Sequence, residues 1–135
     1  MAGFKAIARL APVVFAVQFT PGEVADAVVF VADRDYFLES IAETHIAGDA
    51  SSTAMVEKVA SGVAAGSGVD LLSSVFALDS TANTPVVKTL ANGGVISTAS
   101  TRLIRRGESL AVDFTGTLTN YDGSLTFVLR PKGNN

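Results

Sequence analysis

Residues 109–130 read Ser109-Leu110-Ala111-Val112-Asp113-Phe114-Thr115-Gly116-Thr117-Leu118-Thr119-Asn120-Tyr121-Asp122-Gly123-Ser124-Leu125-Thr126-Phe127-Val128-Leu129-Arg130, and their spacing decides the fold class. Leu110, Val112 and Phe114 recur at every second position, as do Leu125, Phe127 and Leu129. Period two is the signature of strands with one face on a core. Gly116 closes the first set, and Asn120-Tyr121-Asp122-Gly123 is a turn sequence. Two alternating segments around a turn predict a β-hairpin.

Working outward, the same signals recur at intervals of roughly ten residues, the rhythm of an all-β sandwich. Val13 through Thr20 is β-branched and aromatic and stops at Pro21-Gly22. Ala27 through Ala32 is a short apolar run, which predicts a strand buried on both faces. Tyr36 through Ile46 places Tyr36, Leu38, Ala42 and Ile46 on one parity and Glu39, Glu43 and His45 on the other, so a half-exposed strand with a charged outer face is expected. A strand over Ala54 through Ala60 follows, then the glycine- and alanine-rich loop Ser61 through Gly68. A helical turn is expected at Asp70-Leu71-Leu72, and strands over Thr84 through Leu90 and, after the turn Asn92-Gly93-Gly94, Val95 through Ser100. No βαβ alternation appears, and the expectation is an antiparallel β-sandwich, jelly-roll-like, over residues 13–135 with an N-terminal arm over residues 1–12.

Composition supports one packed core. Hydrophobic residues make up 48% of the 135 residues and charged residues 17%, which is far from the composition of a disordered chain. The chain has no cysteine, so neither disulfides nor thiolate-bound metal can stabilise it. Its net charge of −3 opposes a nucleic-acid footprint. The basic cluster Arg102, Arg105 and Arg106 is diluted by Glu108 and Asp113. Lys5 and Arg9 ahead of the apolar run from Leu10 to Val17 have the order of a signal peptide. Pro12 interrupts that run and no suitable cleavage site follows, so a retained arm and first strand are expected. No apolar run approaches the ~18 residues of a membrane span.

Residue types that could carry chemistry are scattered. Val112-Asp113-Phe114-Thr115-Gly116-Thr117 resembles the nucleophile motif of haloacid-dehalogenase-type phosphotransferases, but Thr115 stands where the acid–base aspartate belongs. Asp113 is expected on the solvent parity of its strand. The one histidine, His45, has no nucleophile-elbow serine to serve, and with Glu43 it supplies two metal ligands where zinc needs three or four. Asp33, Asp35 and Glu39 lack the glycine and terminal glutamate of a calcium loop and read as a solvated turn. The glycines from Gly62 to Gly68 lack the Lys-Ser/Thr of a phosphate-binding loop. Serine and threonine faces could meet sugars, although stacking would fall to Tyr36 and Tyr121, since the chain has no tryptophan. The expectation is a non-enzymatic chain with no catalytic residues, metal or cofactor.

A further pattern runs through Phe30-Val31-Ala32-Asp33-Arg34-Asp35-Tyr36, Glu43-Thr44-His45, Thr81-Ala82-Asn83-Thr84 and Leu103 through Leu118. Over about residues 28–130 it resembles the decoration, or cement, proteins of tailed bacteriophages, small β-sandwiches on the outside of the capsid. The resemblance implies a structural virion protein that binds the major capsid protein and stabilises the shell, and the glycine-rich edges and many short apolar strands predict a homo-oligomer, most simply a trimer. The acidic balance and the short apolar runs predict no nucleic-acid partner and no membrane. In that setting Phe4, Ile7 and Leu10 would bury against a capsid subunit while Lys5 and Arg9 meet acidic groups at the rim; the alternative is an arm folded back as an edge strand. A tail, baseplate or head-fibre component and a carbohydrate-binding module are the other readings.

Overall fold

The structure, a computed structural model, describes residues 11–133. Ten strands form two antiparallel sheets: β1 (Val13–Phe19), β2 (Ala27–Val31), β3 (Tyr36–Ala47), β4 (Thr53–Val59), β5 (Val69–Asp70), β6 (Phe76–Ala77), β7 (Val86–Thr89), β8 (Leu103–Ile104), β9 (Ser109–Thr115) and β10 (Asp122–Pro131). The first sheet runs β1-β10-β3-β7, with β8 also on β3; the second runs β2-β9-β4-β5, with β6 also on β4. Consecutive long strands alternate between sheets, and this order is that of a jelly roll, the all-β sandwich expected from the periodicity.

The core lies between the sheets. Leu125, Phe127 and Leu129 of β10 and Leu110 and Val112 of β9 are fully buried, with Leu38, Ile41, Ala54 and Val56 facing them. Phe15 closes the side at β1 and β2, stacked at 4.9 Å on Phe127 and 5.1 Å on Phe30. Such pairs add about 0.5–1.5 kcal/mol beyond their buried area.

Five local expectations are corrected. β9 and β10 form no hairpin: β9 pairs β2 and β4, whereas β10 pairs β1 and β3. Periodicity marks a buried face but not the pairing partner, and residues 116–121 carry the chain across the sandwich from one sheet to the other. β2 is an edge strand, with Val28 and Val31 exposed. Its continuous apolar run reflects a register shift between Val28 and Phe30, which lets Val29 and Phe30 both reach the core.

β3 is a strand over the expected span, but its faces are exchanged beyond Leu38. Leu129 opposes Leu38 and Val128 opposes Ser40, leaving Glu39 as the extra residue of a bulge. One added residue reverses every later parity. Ile41, Glu43 and His45 therefore point inward and Ile46 outward, 65% exposed. The last two corrections concern the middle of the chain. Asp70-Leu71-Leu72 forms no helical turn: Leu71 donates to the Val56 carbonyl at 2.9 Å, and Leu72 bridges Val95. Val95 through Ser100 is not a strand either, since past Ile96 the chain finds no partner and turns into a short helix, α1 (Ala99–Arg102).

Candidate functional site

The β3 bulge places an ionisable pair inside an apolar sandwich. Glu43 and His45 are 1% and 2% exposed. His45 Nδ1 lies 2.6 Å from Glu43 Oε1, and His45 Nε2 lies 2.9 Å from the Ser80 carbonyl oxygen. A carbonyl only accepts, so Nε2 carries a proton, and the short contact at Nδ1 requires another shared with the carboxylate. Burial opposes charge on the imidazole, but Glu43 and the Ser80 carbonyl outweigh it and hold His45 above its ordinary pKa. Both ring nitrogens are thus committed within the protein. The pair ties the 79–83 segment to β3, beside the 2.7 Å bond from the Asn83 amide to the His45 carbonyl.

Tyr121 packs 5.8 Å from the His45 ring. It is fully buried and its Oη makes no hydrogen bond, and burial pushes its phenol well above the ordinary range. A side chain at position 123 would collide with that oxygen and with the Thr44 carbonyl, so glycine is required there. Two other buried polar groups also hold segments in place. Lys58 Nζ donates to the Ser100 and Leu103 carbonyls, each at 3.0 Å, at the C-terminal end of α1. Glu57 accepts from the Gly66 amide, fixing the glycine-rich loop over β4.

Asp113 does lie on the outer parity of β9, but in a setting the sequence did not disclose. Burial, then the neighbouring Asp26 and Asp70, push its carboxyl above the usual range. Asp26 is in turn fixed by accepting from the Phe114 amide at 2.7 Å. These acids come from three separate strands or loops, and only the pairing of β9 with β2 and β4 brings them together. Among the described residues no three His, Cys, Asp or Glu side chains converge as metal ligands.

The remaining sequence candidates are built into the framework. Asp33 accepts from the Tyr36 hydroxyl, and Asp35 Oδ1 from the Arg106 amide at 2.9 Å. The turn is exposed at Asp33 and Arg34, as expected, and is also tied to the loop before β9. Glu39 pairs with Arg130 at 2.8 Å, and Arg102 lies over the Phe37 ring, 4.8 Å from its centre. Tyr36 and Tyr121 are both buried, so neither offers a sugar-stacking surface. Phe4, Lys5, Ile7, Arg9 and Leu10 lie outside the described residues.

The outer face of the first sheet is one surface open to a partner. Strand register sets its rows: Val14, Val128, Ser40 and Thr89; then Ala16, Thr126, Ala42 and Val87; then Gln18, Ser124 and Thr44. None of these side chains is charged. The Glu39–Arg130 pair bounds one end and Asp122 the other. Alternation predicts a polar outer face for these strands, but the missed bulge hid which β3 residues join it. A depression lined by Gln18, Thr44, Asp122 and Ser124 has a volume of about 110 Å³, small beside the ~300–1,000 Å³ of small-molecule sites. A broader trough of about 330 Å³ at Ser73, Ser74, Lys88 and Asn92 has its polar groups bonded to one another, Lys88 Nζ to Ser74 Oγ at 2.9 Å among them.

No protein family and no curated protein matches the chain. A solved structure with a similar course comes from work titled "Bacillus endospore appendages form a novel family of disulfide-linked pili", with 12% sequence identity and a TM-score of 0.43 over 93% of this chain and 89% of that one.

Proposed function

We propose that the chain is a non-catalytic structural protein of a virion, a decoration protein that binds the outer surface of a tailed-phage capsid through the major capsid protein and stabilises the shell. The observation that carries this reading is the use made of the polar interior. His45, held by Glu43, fastens residues 79–83 to β3, and Glu57 and Lys58 fasten the glycine-rich loop and the end of α1 to β4, giving a rigid sandwich. Rigid β-sandwiches suit repeated docking on a shell, where many modest contacts add through avidity. A homo-oligomer, in the simplest case a trimer, multiplies that gain around local symmetry axes. The sequence resemblance to phage decoration proteins points the same way.

The test is to incubate the purified chain with undecorated capsids of a tailed phage whose genome carries its coding sequence. Occupancy and the temperature of shell opening are then measured. Saturable binding that raises the opening temperature is expected, because a ligand specific to the assembled state stabilises that state by mass action. Absence of both binding and stabilisation removes the proposal.

A further inference from the structure

The chain carries 10 basic and 13 acidic side chains, yet the three central rows of the first sheet's outer face hold none of them. The opposite side of the sandwich differs. There Asp26 and Asp70 stand beside Asp113, and burial together with their charge raises the cost of ionising it. Solvent-facing strands ordinarily carry interspersed charge, which keeps sheets from meeting one another. On this face Val14, Ile46 and Val87 are 63%, 65% and 48% exposed; the second sheet also exposes Val28, Val31 and Val69, so the lack of charge, more than apolar exposure, sets the first face apart.

We infer that this face pairs with the same face of a second copy of the chain. Charge selects that occupant. With a net charge of −3 two copies repel, and the acidic cluster makes approach through the second sheet the least favourable. The uncharged rows are where two copies meet without opposing like charges, and a face that meets itself closes about a two-fold axis. Area sets the strength. Four strands about 4.8 Å apart and three rows about 7 Å apart give roughly 400 Å² of projected surface. A standard stable interface uses about 800 Å² of accessible surface per partner, so a weak, concentration-dependent association is expected. The pairing is independent of capsid binding: it yields a dimer alone, and a hexamer if the trimer also forms.

Sedimentation of the full chain from about 10 to about 500 µM tests for the concentration-dependent association expected of so small an interface. Thr126→Arg sets a charge at the centre of the face, where two-fold pairing brings it against its own copy. It should weaken association about tenfold or more and halve the mass, whichever larger assembly forms. Val14→Lys, on the edge strand at a largely exposed position, should do the same if the first variant folds poorly. Val63→Lys, on the glycine-rich loop, should leave association unchanged. A wild-type chain that stays monomeric throughout, or two face variants that both associate like wild type, would overturn the inference. So would tighter association on deleting residues 2–10, since it would show the chain's own first residues occupying the face; unchanged association supports the second copy.

Discussion

A buried histidine between two acceptors behaves unlike one in water, and Glu43–His45 makes this measurable. The unfolded chain releases the imidazolium proton near pH 6.5, whereas the folded pair holds it to higher pH. Folding therefore takes up a proton above that point. The contribution is fully present below about pH 6.5 and is lost as pH rises through the raised folded value. Denaturant midpoints should fall as pH rises from about 6.5 through the raised folded value, below the range where the phenols titrate, and a Glu43→Leu/His45→Leu double variant should lack that fall. Glu43→Ala alone leaves the imidazole buried and unpaired and should cost about 3–5 kcal/mol. An equal slope in wild type and double variant would exclude the pair as its source.

Strand pairing, more than strand identity, decides what this molecule presents. β1, β3, β4, β9 and β10 all lie close to where alternation places them, because each carries apolar side chains at regular spacing. What alternation left hidden were the three register shifts and the crossing from β9 to β10, since each depends on which strands become neighbours. Glu43 and His45 were accordingly expected in solvent and stand in the core, and the Asp26, Asp70 and Asp113 cluster was invisible in a sequence that separates its members widely. That cluster gives a prediction at the element scale. Asp113 has a raised folded pKa, so its ionised form opposes folding at neutral pH, and stability rises as pH falls through that value towards the unfolded 3.8. Asp113→Asn should therefore stabilise the protein at pH 7 by about 0.5 kcal/mol, in the range of like-charge neighbours in sheets. The gain should disappear near pH 4. A loss of stability at pH 7 would mean that the carboxylate accepts hydrogen bonds an amide cannot replace.

At the scale of the whole molecule, the described sandwich closes its core without the first ten residues. β1 begins at Val13, and Phe15 already stacks between Phe30 and Phe127. Deleting residues 2–10 should thus leave the fold and its thermal transition nearly unchanged. On the proposed capsid the same deletion should act differently, because Phe4, Ile7 and Leu10 would lose apolar burial worth about 25 cal/mol for each Å² removed from water. Lys5 and Arg9 would contribute only at the rim, where salt screens charges beyond about 10 Å at 0.1 M. Raising salt should then weaken binding of the intact chain modestly, and truncation should weaken it much more. Occupancy of undecorated capsids by intact and truncated protein, each at low and high salt, separates these contributions. Equal occupancy by the two forms would assign the first residues to the chain's own sheet edge; salt sensitivity as large as the effect of truncation would make the contact electrostatic in place of apolar.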